Sequence, residues 1–361
     1  MTSGLHALDR HGDRDSTAGM LDFAVNVRGA APPFVRAAIE ATLDDLARYP
    51  TSADTAHAGE VIADLHGRTA AEVMLLAGAS DGFELLPKLG VAHAALLQPS
   101  FTEPELVLRA AGIRITQVVG APDASLSELA GRVPDDADLV VLGNPTNPTS
   151  MLHPAQTIES LRRPGRIVVV DEAFADLTLD PVTGRREPES CSGNRAADLV
   201  VLRSVTKTFG LAGLRAGYLL AAPEVIARLE AGRRAWPLSA PALAALAACC
   251  GPAGERFCRD QAHIVAAERE YLVSRLADIG PAVCAPASAP FVLVETPGAL
   301  AIRERLRAHG IAVRSCANFV GLTDDHLRLA VRPAAHVDRL IGALGRAQEE
   351  ITVGRTGVGR V

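Results

Sequence analysis

Lysine is almost missing from this chain of 361 residues, since Lys88 and Lys207 are the only lysines among 36 basic side chains. Any chemistry that needs an amine nucleophile therefore has two candidates. The six cysteines form no Cys-x-x-Cys pair, which argues against a zinc site and against a disulfide scaffold. These cysteines are Cys191, Cys249, Cys250, Cys258, Cys284 and Cys316. We expect no metal site and a reduced, cytoplasmic compartment.

Two further absences limit the classes of partner. The net charge is -6 and no block of like charge occurs, so nothing predicts a nucleic-acid surface or a charged interaction tail. No uninterrupted apolar stretch reaches the roughly 18 residues of a membrane span, and residues 1–16 lack the apolar core of a signal peptide. We expect small-molecule partners, and neither nucleic acid nor membrane.

The apolar fraction of 48% and charged fraction of 22% are typical of a globular chain, and the length favours about two domains. Short apolar runs alternate with helical patterns between residues 70 and 221. Continuous apolar strands separated by helices predict an α/β domain with a mostly parallel sheet, although the first and last strands could pair antiparallel. The predicted strands are 73–77, 94–97, 113–119, 139–142, 167–170, 199–202 and 218–221.

The pattern changes after Pro237. Helices are predicted over 240–250 and 255–279, followed by a strand, helix, strand, strand and helix that indicate a smaller α+β domain. The last helix is predicted over 335–349, and residues 352–361 have no apolar period. The predicted organisation is an N-terminal segment (1–30), a large domain (31–237), a small domain (238–350) and a flexible tail (351–361).

Two short motifs suggest hydrolytic chemistry. Residues 78–82 match G-x-S-x-G between a strand and a helix, so Ser80 could be a nucleophile with Asp171 and a later histidine. Ser80 could equally be a serine at a helix start. Ser204 and Lys207 fit the S-x-x-K of penicillin-recognising enzymes, but the companion motifs are absent. Chain order allows four histidines in the first motif, namely His263, His309, His326 and His336.

A third set of residues lies just beyond the ends of three predicted strands. Residues 144–148 read N-P-T-N-P, residues 171–174 read D-E-A-F, and residues 204–217 read S-V-T-K-T-F-G-L-A-G-L-R-A-G. The carboxyl ends of parallel strands form the edge at which open α/β sheets bind ligands. We therefore expect Asn147, Asp171, Lys207 and Arg215 to meet there, beside the turn at Gly78.

A pyridoxal 5'-phosphate (PLP) site needs this combination of groups. It needs a lysine for the Schiff base and an acid against the pyridinium nitrogen. It also needs backbone N–H groups at a helix start, an arginine for the phosphate, and donors to the phenolic oxygen.

These motifs resemble the class I/II aminotransferases of PLP fold type I, over residues 21 to 344. Within that family the chain is most similar to histidinol-phosphate aminotransferases and to the threonine-phosphate decarboxylases of cobalamin biosynthesis. Residues 21–26 resemble their shared opening and residues 48–50 resemble their R-Y-P block. The resemblance implies a homodimer in which Tyr49 reaches the PLP phosphate of the partner subunit.

The resemblance also implies a role for individual residues. Lys207 is the catalytic lysine that forms the Schiff base, Asp171 is the pyridinium partner, and Arg328 binds the substrate carboxylate or its equivalent. The remaining predicted cofactor-binding residues are Tyr49, Ala79, Ser80, Phe101, Asn147, Phe174, Ser204 and Arg215. The remaining predicted substrate-binding residues are Asn26, Arg314 and Arg332, with Arg28 a further candidate for a second anion.

Two departures concern the type of reaction. Phe174 stands where the family's aminotransferases usually have a tyrosine whose hydroxyl bonds the cofactor's phenolic oxygen, which leaves Asn147 as the main donor. Arg332 stands where histidinol-phosphate enzymes more often have a small residue. Together with His11-Gly12 and D-E-A-F, the A-V-R sequence at 330–332 favours the cobalamin-pathway subgroup.

The sequence thus predicts aminotransfer between a phosphate-bearing amino compound and a keto acid. Decarboxylation of threonine phosphate on the same residues is the second hypothesis. A serine hydrolase that uses Ser80 is the third. A non-catalytic, regulatory relative that binds the cofactor is the fourth, although no DNA-binding segment supports it.

Overall fold

The computed structural model describes Leu8 and residues 12–357. His11 and the end of the predicted tail, residues 358–361, lie outside the described residues. Within the described part of the chain, no helix is both long enough and apolar enough to cross a membrane.

The strands and helices alternate as the sequence predicts. In chain order the strands are β1 (Leu21–Phe23), β2 (Val73–Leu76), β3 (His93–Gln98), β4 (Arg114–Val119), β5 (Leu139–Gly143), β6 (Ile167–Asp171), β7 (Leu199–Ser204), β8 (Gly217–Leu220), β9 (Ala282–Val283), β10 (Phe291–Glu295), β11 (Ile311–Ser315) and β12 (His326–Ala330). The α-helices are α1 (Pro33–Glu40), α2 (Ser52–Leu65), α3 (Ala79–Leu85), α4 (Glu103–Ala110), α5 (Leu126–Ala130), α6 (Ala155–Glu159), α7 (Pro223–Glu230), α8 (Ala240–Cys250), α9 (Pro252–Ala277), α10 (Ala299–Ala308) and α11 (Ala334–Gly357).

The larger sheet has seven strands in the order β2-β8-β7-β6-β5-β3-β4. Strands β3 to β7 pair parallel, whereas β8 pairs antiparallel with both β7 and β2. Successive side chains of a strand point to opposite faces, and here both faces are covered. Val168 and Val170 join one apolar core, and Val169 joins the other. This double burial explains why the central strands β5 and β6 are apolar up to their last residue.

The smaller sheet has five strands in the order β1-β11-β12-β10-β9. Strands β11, β12 and β10 are antiparallel neighbours, as the predicted α+β pattern requires. Strand β1 pairs parallel with β11, so Leu21 lies opposite Ile311. The segment predicted as a separate N-terminal unit therefore supplies an edge strand to the small sheet.

Helix α8 follows the predicted boundary at residue 238, and it packs on α1 and α2. Leu243 and Leu246 of α8 belong to the same apolar core as Ile62 of α2, beneath the large sheet. Cys258 of α9 joins this core as well, whereas Leu272 and Leu276 of α9 join the core of the small sheet, so the division between these two cores falls within α9. The predicted end of the last helix at Glu349 is too early, because α11 continues to Gly357.

Candidate active site

A cavity of about 510 Å³ lies at the carboxyl ends of β5, β6 and β7, where they face β12 and the segment after β1. Strand β2 points the same way as β7, since both are antiparallel to β8, and it brings the turn at Gly78 to this edge. The wall contains most of the predicted site residues. These are Asn26, Ala79, Ser80, Phe101, Asn147, Asp171, Phe174, Ser204, Lys207, Arg215 and Arg328.

Lys207 follows β7, and Asp171 is the last residue of β6. Burial lowers the pKa of Lys207 to about 8, helped by the positive charges of Arg328 and Arg215. Burial raises the pKa of Asp171 to about 6, against a hydrogen bond that its Oδ1 accepts from the N–H of Ala173 at 3.0 Å. The cavity therefore holds an amine and an acid whose pKa values have both moved toward neutrality.

The second lysine has a different place. Lys88 donates hydrogen bonds to the carbonyl oxygens of Leu229 (3.2 Å) and Ala231 (2.8 Å), outside the cavity wall. Of the two amine candidates in the sequence, only Lys207 lies in the cavity.

A tight turn between β2 and α3 forms one end of the cavity. Gly78 has φ +88°, and a Cβ at this position would come within 2.8 Å of Arg215 Nη2. The Arg215 guanidinium lies against this turn and donates to Ser80 Oγ at 3.3 Å. The first N–H groups of α3 have no partner within the helix, so the turn offers Ala79 and Ser80 N–H groups beside an arginine. This arrangement suits a phosphate.

Arg328, on β12, forms the opposite end of the cavity. Its Nη1 donates to Asn147 Oδ1 at 2.6 Å and its Nη2 donates to the carbonyl oxygen of Ala24 at 2.8 Å. Asn26, with its amide oxygen turned toward the guanidinium, accepts from Arg328 Nε and Nη1 at 3.2 Å each. Burial lowers the pKa of Arg328 to about 10. The three acceptors named above are all neutral, so none of these contacts pairs the guanidinium with a carboxylate. A carboxylate or phosphate of a substrate fits such a buried cation.

Two aromatic rings contribute flat apolar surface. Phe101 follows β3 and packs at 6.1 Å from the ring of Phe83, which also lines the cavity. Phe174 is buried and meets the ring of Phe291 edge to face at 4.9 Å. No hydroxyl stands at position 174, so Asn147 is the predicted donor to a phenolic oxygen that reaches the cavity.

Three predicted substrate arginines lie outside the cavity wall. Arg314 pairs with Asp15 at 3.3 Å and with Asn318 at 2.8 Å. Arg332 donates to the carbonyl oxygens of Asp22 and Val25, and Arg28 pairs with Glu268. Their hydrogen bonds join the N-terminal segment to the small domain. A role for them in anion binding stays a prediction.

Tyr49 also lies away from the cavity of its own chain. Its side chain is 73% exposed and stacks on Trp236, with ring centroids 4.3 Å apart. Its predicted contact with the cofactor phosphate of a partner subunit stays a prediction.

Sequence reasoning missed several cavity residues. Glu103, the first residue of α4, lines the wall together with Phe83 and Gly12. Glu103 lies two residues beyond Phe101 after the carboxyl end of β3, so the strand-end pattern could have found it. Gly12 and Phe83 carry no chemical signal of their own, and their positions depend on the folded chain.

The described residues of the cavity wall do not supply the histidine that the serine-hydrolase hypothesis needs. Ser80 Oγ is bonded to Arg215, and no histidine occurs in the cavity wall within the residues that are described. Ser204 Oγ accepts from the N–H of Thr206, as expected of a turn residue.

The residues present fit PLP. Gly78 and Arg215 form a cradle that a side chain at position 78 would fill, Asp171 lies at a strand end for a pyridinium nitrogen, and Lys207 shares the cavity with both. A doubly covered α/β sheet with these groups at its carboxyl edge, next to a small α+β domain, defines an enzyme of PLP fold type I.

Comparison with known proteins identifies the family. The family model of the class I and II aminotransferases matches residues 18–344, so the chain belongs to this family. It is 48% identical to a histidinol-phosphate aminotransferase of Mycobacterium bovis over 333 residues, covering 92% of this chain and 89% of that protein. It is 29% identical to a threonine-phosphate decarboxylase of Salmonella typhimurium over 342 residues, covering 90% of each.

A solved structure shares the fold. The histidinol-phosphate aminotransferase of Sinorhizobium meliloti in complex with pyridoxal-5'-phosphate superimposes with a TM-score of 0.83, at 23% identity, over 97% of this chain and 98% of that one. The predicted fold class, the PLP cofactor and the aminotransferase class are thereby confirmed.

Proposed function

We propose that the protein transfers an amino group from a phosphate-bearing amino compound of the histidinol-phosphate type to a keto acid. One observation carries this proposal, namely that Lys207, Asp171 and Arg328 share one cavity with the phosphate turn at Gly78. The relative of Mycobacterium bovis that is 48% identical, named for this activity, supports the choice of substrate.

Each residue has a defined role in this proposal. Bound PLP supplies an aldehyde carbon that reacts with amines and a ring that accepts electrons. Ser80 and Arg215 hold its phosphate, and Asp171 keeps a proton at the pyridine nitrogen. Lys207, with its lowered pKa, has an appreciable neutral fraction near pH 8 and takes and returns a proton at the substrate's α-carbon.

Arg328 orients the substrate in this proposal. Its guanidinium is planar and buried, and Asn147 holds it from the cofactor side. A planar fork binds carboxylate and phosphate through two parallel hydrogen bonds, which fixes the direction of the ligand as well as its affinity.

Absorbance of the purified protein with PLP tests the cofactor site. Wild type and Lys88→Ala should develop the visible band of lysine-bound PLP, whereas Lys207→Ala should not. Each variant removes one lysine, so the two variants differ only in the position of the amine that is lost. A band that survives Lys207→Ala, or its absence from wild type, contradicts this assignment.

Turnover tests the substrate. Histidinol phosphate should convert the band of the wild-type protein to that of the amine form of the cofactor, and a keto acid should restore it. Arg328→Met should raise KM for the anionic ligand while PLP remains bound. No spectral response to histidinol phosphate would exclude this substrate.

A second candidate is decarboxylation of threonine phosphate, as in cobalamin biosynthesis. Arg314 lies directly opposite Arg328 on neighbouring strands, and threonine phosphate carries two anionic groups where histidinol phosphate carries one. Phe174 in place of the usual tyrosine is compatible with either reaction. Release of carbon dioxide from threonine phosphate, with no amine form accumulating, would favour the decarboxylase.

We further propose a homodimer in the cytoplasm. Tyr49, Trp236, Leu43 and Leu46 are each at least half exposed, and a second subunit that covers them would bring Tyr49 to a neighbouring cavity. All six cysteines are free thiols, as expected of a reducing compartment. Sedimentation and cell fractionation test the two statements.

A further inference from the structure

A second arginine lies behind the turn that faces the cavity. Arg215 lies on the cavity side of the turn, whereas Arg233, in the segment after α7, reaches its other side. Arg233 Nη1 donates to the carbonyl oxygen of Leu75 at 2.7 Å, and Nη2 pairs with Asp81. Both side chains of this ion pair are nearly buried, with 11% and 15% exposed.

Asp81 belongs to the same turn as the predicted phosphate ligands. It comes directly after Ala79 and Ser80, and its Oδ2 accepts from the N–H of Ala77 at 3.0 Å. The carboxylate thereby fixes the residues on both sides of Gly78. It also places a negative charge on the residue directly after Ser80, a predicted phosphate ligand, and that charge opposes the binding of an anion.

Arg233 offsets the negative charge of Asp81. Its positive charge neutralises Asp81, and its second hydrogen bond, to Leu75, holds the guanidinium at the end of β2. A partly buried carboxylate without its partner would act on the phosphate with little screening by solvent.

We propose that Arg233 is a positioning residue for the cofactor phosphate, which acts by neutralising and orienting Asp81 behind the Gly78 turn. This inference rests on the proposed PLP site and deepens it. The two arginines then have different roles. Arg215 binds the phosphate, and Arg233 neutralises the negative charge of Asp81 beside it.

The charges of Arg233 and Asp81 predict how PLP affinity should rank among three variants. Arg233→Met leaves Asp81 unneutralised and should weaken PLP binding roughly tenfold or more. Asp81→Asn removes the opposing charge and keeps an amide oxygen for the Ala77 N–H, so its affinity should equal or exceed that of wild type. The double variant should return close to wild type, although it lacks both partners.

The experiment is a titration of the cofactor-free proteins with PLP, followed by fluorescence, together with thermal unfolding of each variant. Arg233→Lys keeps the charge and should keep most of the affinity. Arg234→Met removes the same charge from the neighbouring exposed side chain and should bind PLP as wild type does.

The outcomes separate this inference from the proposed function. If wild type does not bind PLP, the proposed function fails. If wild type binds and Arg233→Met binds equally well, or the double variant stays as weak as Arg233→Met, the inference about Arg233 is overturned. Recovery in the double variant also excludes simple misfolding, because a disrupted segment would not be repaired by a change at Asp81.

Discussion

Asp171 and Lys207 are held in the folded protein at a cost to its stability. Burial raises the pKa of one and lowers the pKa of the other, so the charged form of each is disfavoured by the fold. Such opposed shifts are common at catalytic sites, where a group is kept for chemistry and not for stability.

Replacement of Asp171 should therefore stabilise the cofactor-free protein. The pKa of about 6 in the folded state exceeds the ordinary aspartate value of 3.8, so wild type loses stability as pH rises through this interval. Asp171→Asn does not titrate, and we expect it to gain up to about 3 kcal/mol over wild type above pH 6 and nothing below about pH 4. Denaturant unfolding at several pH values measures this difference. Asp44→Asn, at an exposed aspartate, is the control, and an equal gain there would contradict the explanation.

Phe174 offers a second test at the scale of one residue. Phe174→Tyr adds a hydroxyl to a residue that lines the cavity. We expect this hydroxyl to donate to the phenolic oxygen of the cofactor and to stabilise the anionic form of that oxygen. We expect the absorbance of bound PLP to titrate at lower pH than in wild type. Phe174→Leu adds no donor and should not lower this pKa. An unchanged titration in Phe174→Tyr would mean that the hydroxyl does not reach the cofactor.

At the scale of single elements, the sequence predicted best those strands whose two faces are both buried. Strands β5, β6 and β7 are continuous apolar runs with polar residues at their ends, and this pattern indicates both the strand and the site. Strand β1 has three residues and pairs with β11 far along the chain, so no local pattern reveals it. Helix α8 consists almost wholly of alanine, leucine and cysteine, and without a polar face its sequence does not indicate which core it joins.

The turn between β2 and α3 can be tested as an element. Gly78→Ala adds a Cβ at a positive φ and against Arg215, so it should cost about 1–3 kcal/mol of stability and also weaken PLP binding. Gly67 also has a positive φ, +62°, but open space around a Cβ. Gly67→Ala should therefore destabilise the fold and leave PLP affinity unchanged. Equal PLP affinity in both variants would show that the contact with Arg215 does not matter.

At the scale of the whole molecule, the proposed site includes Tyr49 of a second subunit. The sequence could suggest this role only through its resemblance to a family, because exposure and stacking on Trp236 are properties of the folded chain alone. The same limit applies to Arg314 and Arg332, whose charge suits an anion although their hydrogen bonds go to the protein itself.

Mixing of subunits provides the test of the dimer. Lys207→Ala and Tyr49→Ala subunits should each have low activity alone, but their hybrid contains one cavity with both native residues. Random mixing should therefore restore roughly a quarter of wild-type activity. Unfolding and refolding of the two variants together, followed by an activity assay, measures the recovery. No recovery above the mean of the separate variants would contradict a shared site.

Because lysine is so scarce, the masses of a few peptides are enough to locate the lysine that binds the cofactor. A protease that cuts after lysine would divide the chain into three peptides, 1–88, 89–207 and 208–361. Hydride reduction joins PLP irreversibly to the amine that holds it, and a lysine altered in this way is no longer cut. With Lys207 as that amine, peptide 89–361 remains whole and heavier by one cofactor, whereas the cut after Lys88 is made as before. Because the chain has only two lysines, the pattern of fragment masses identifies which of them holds the cofactor.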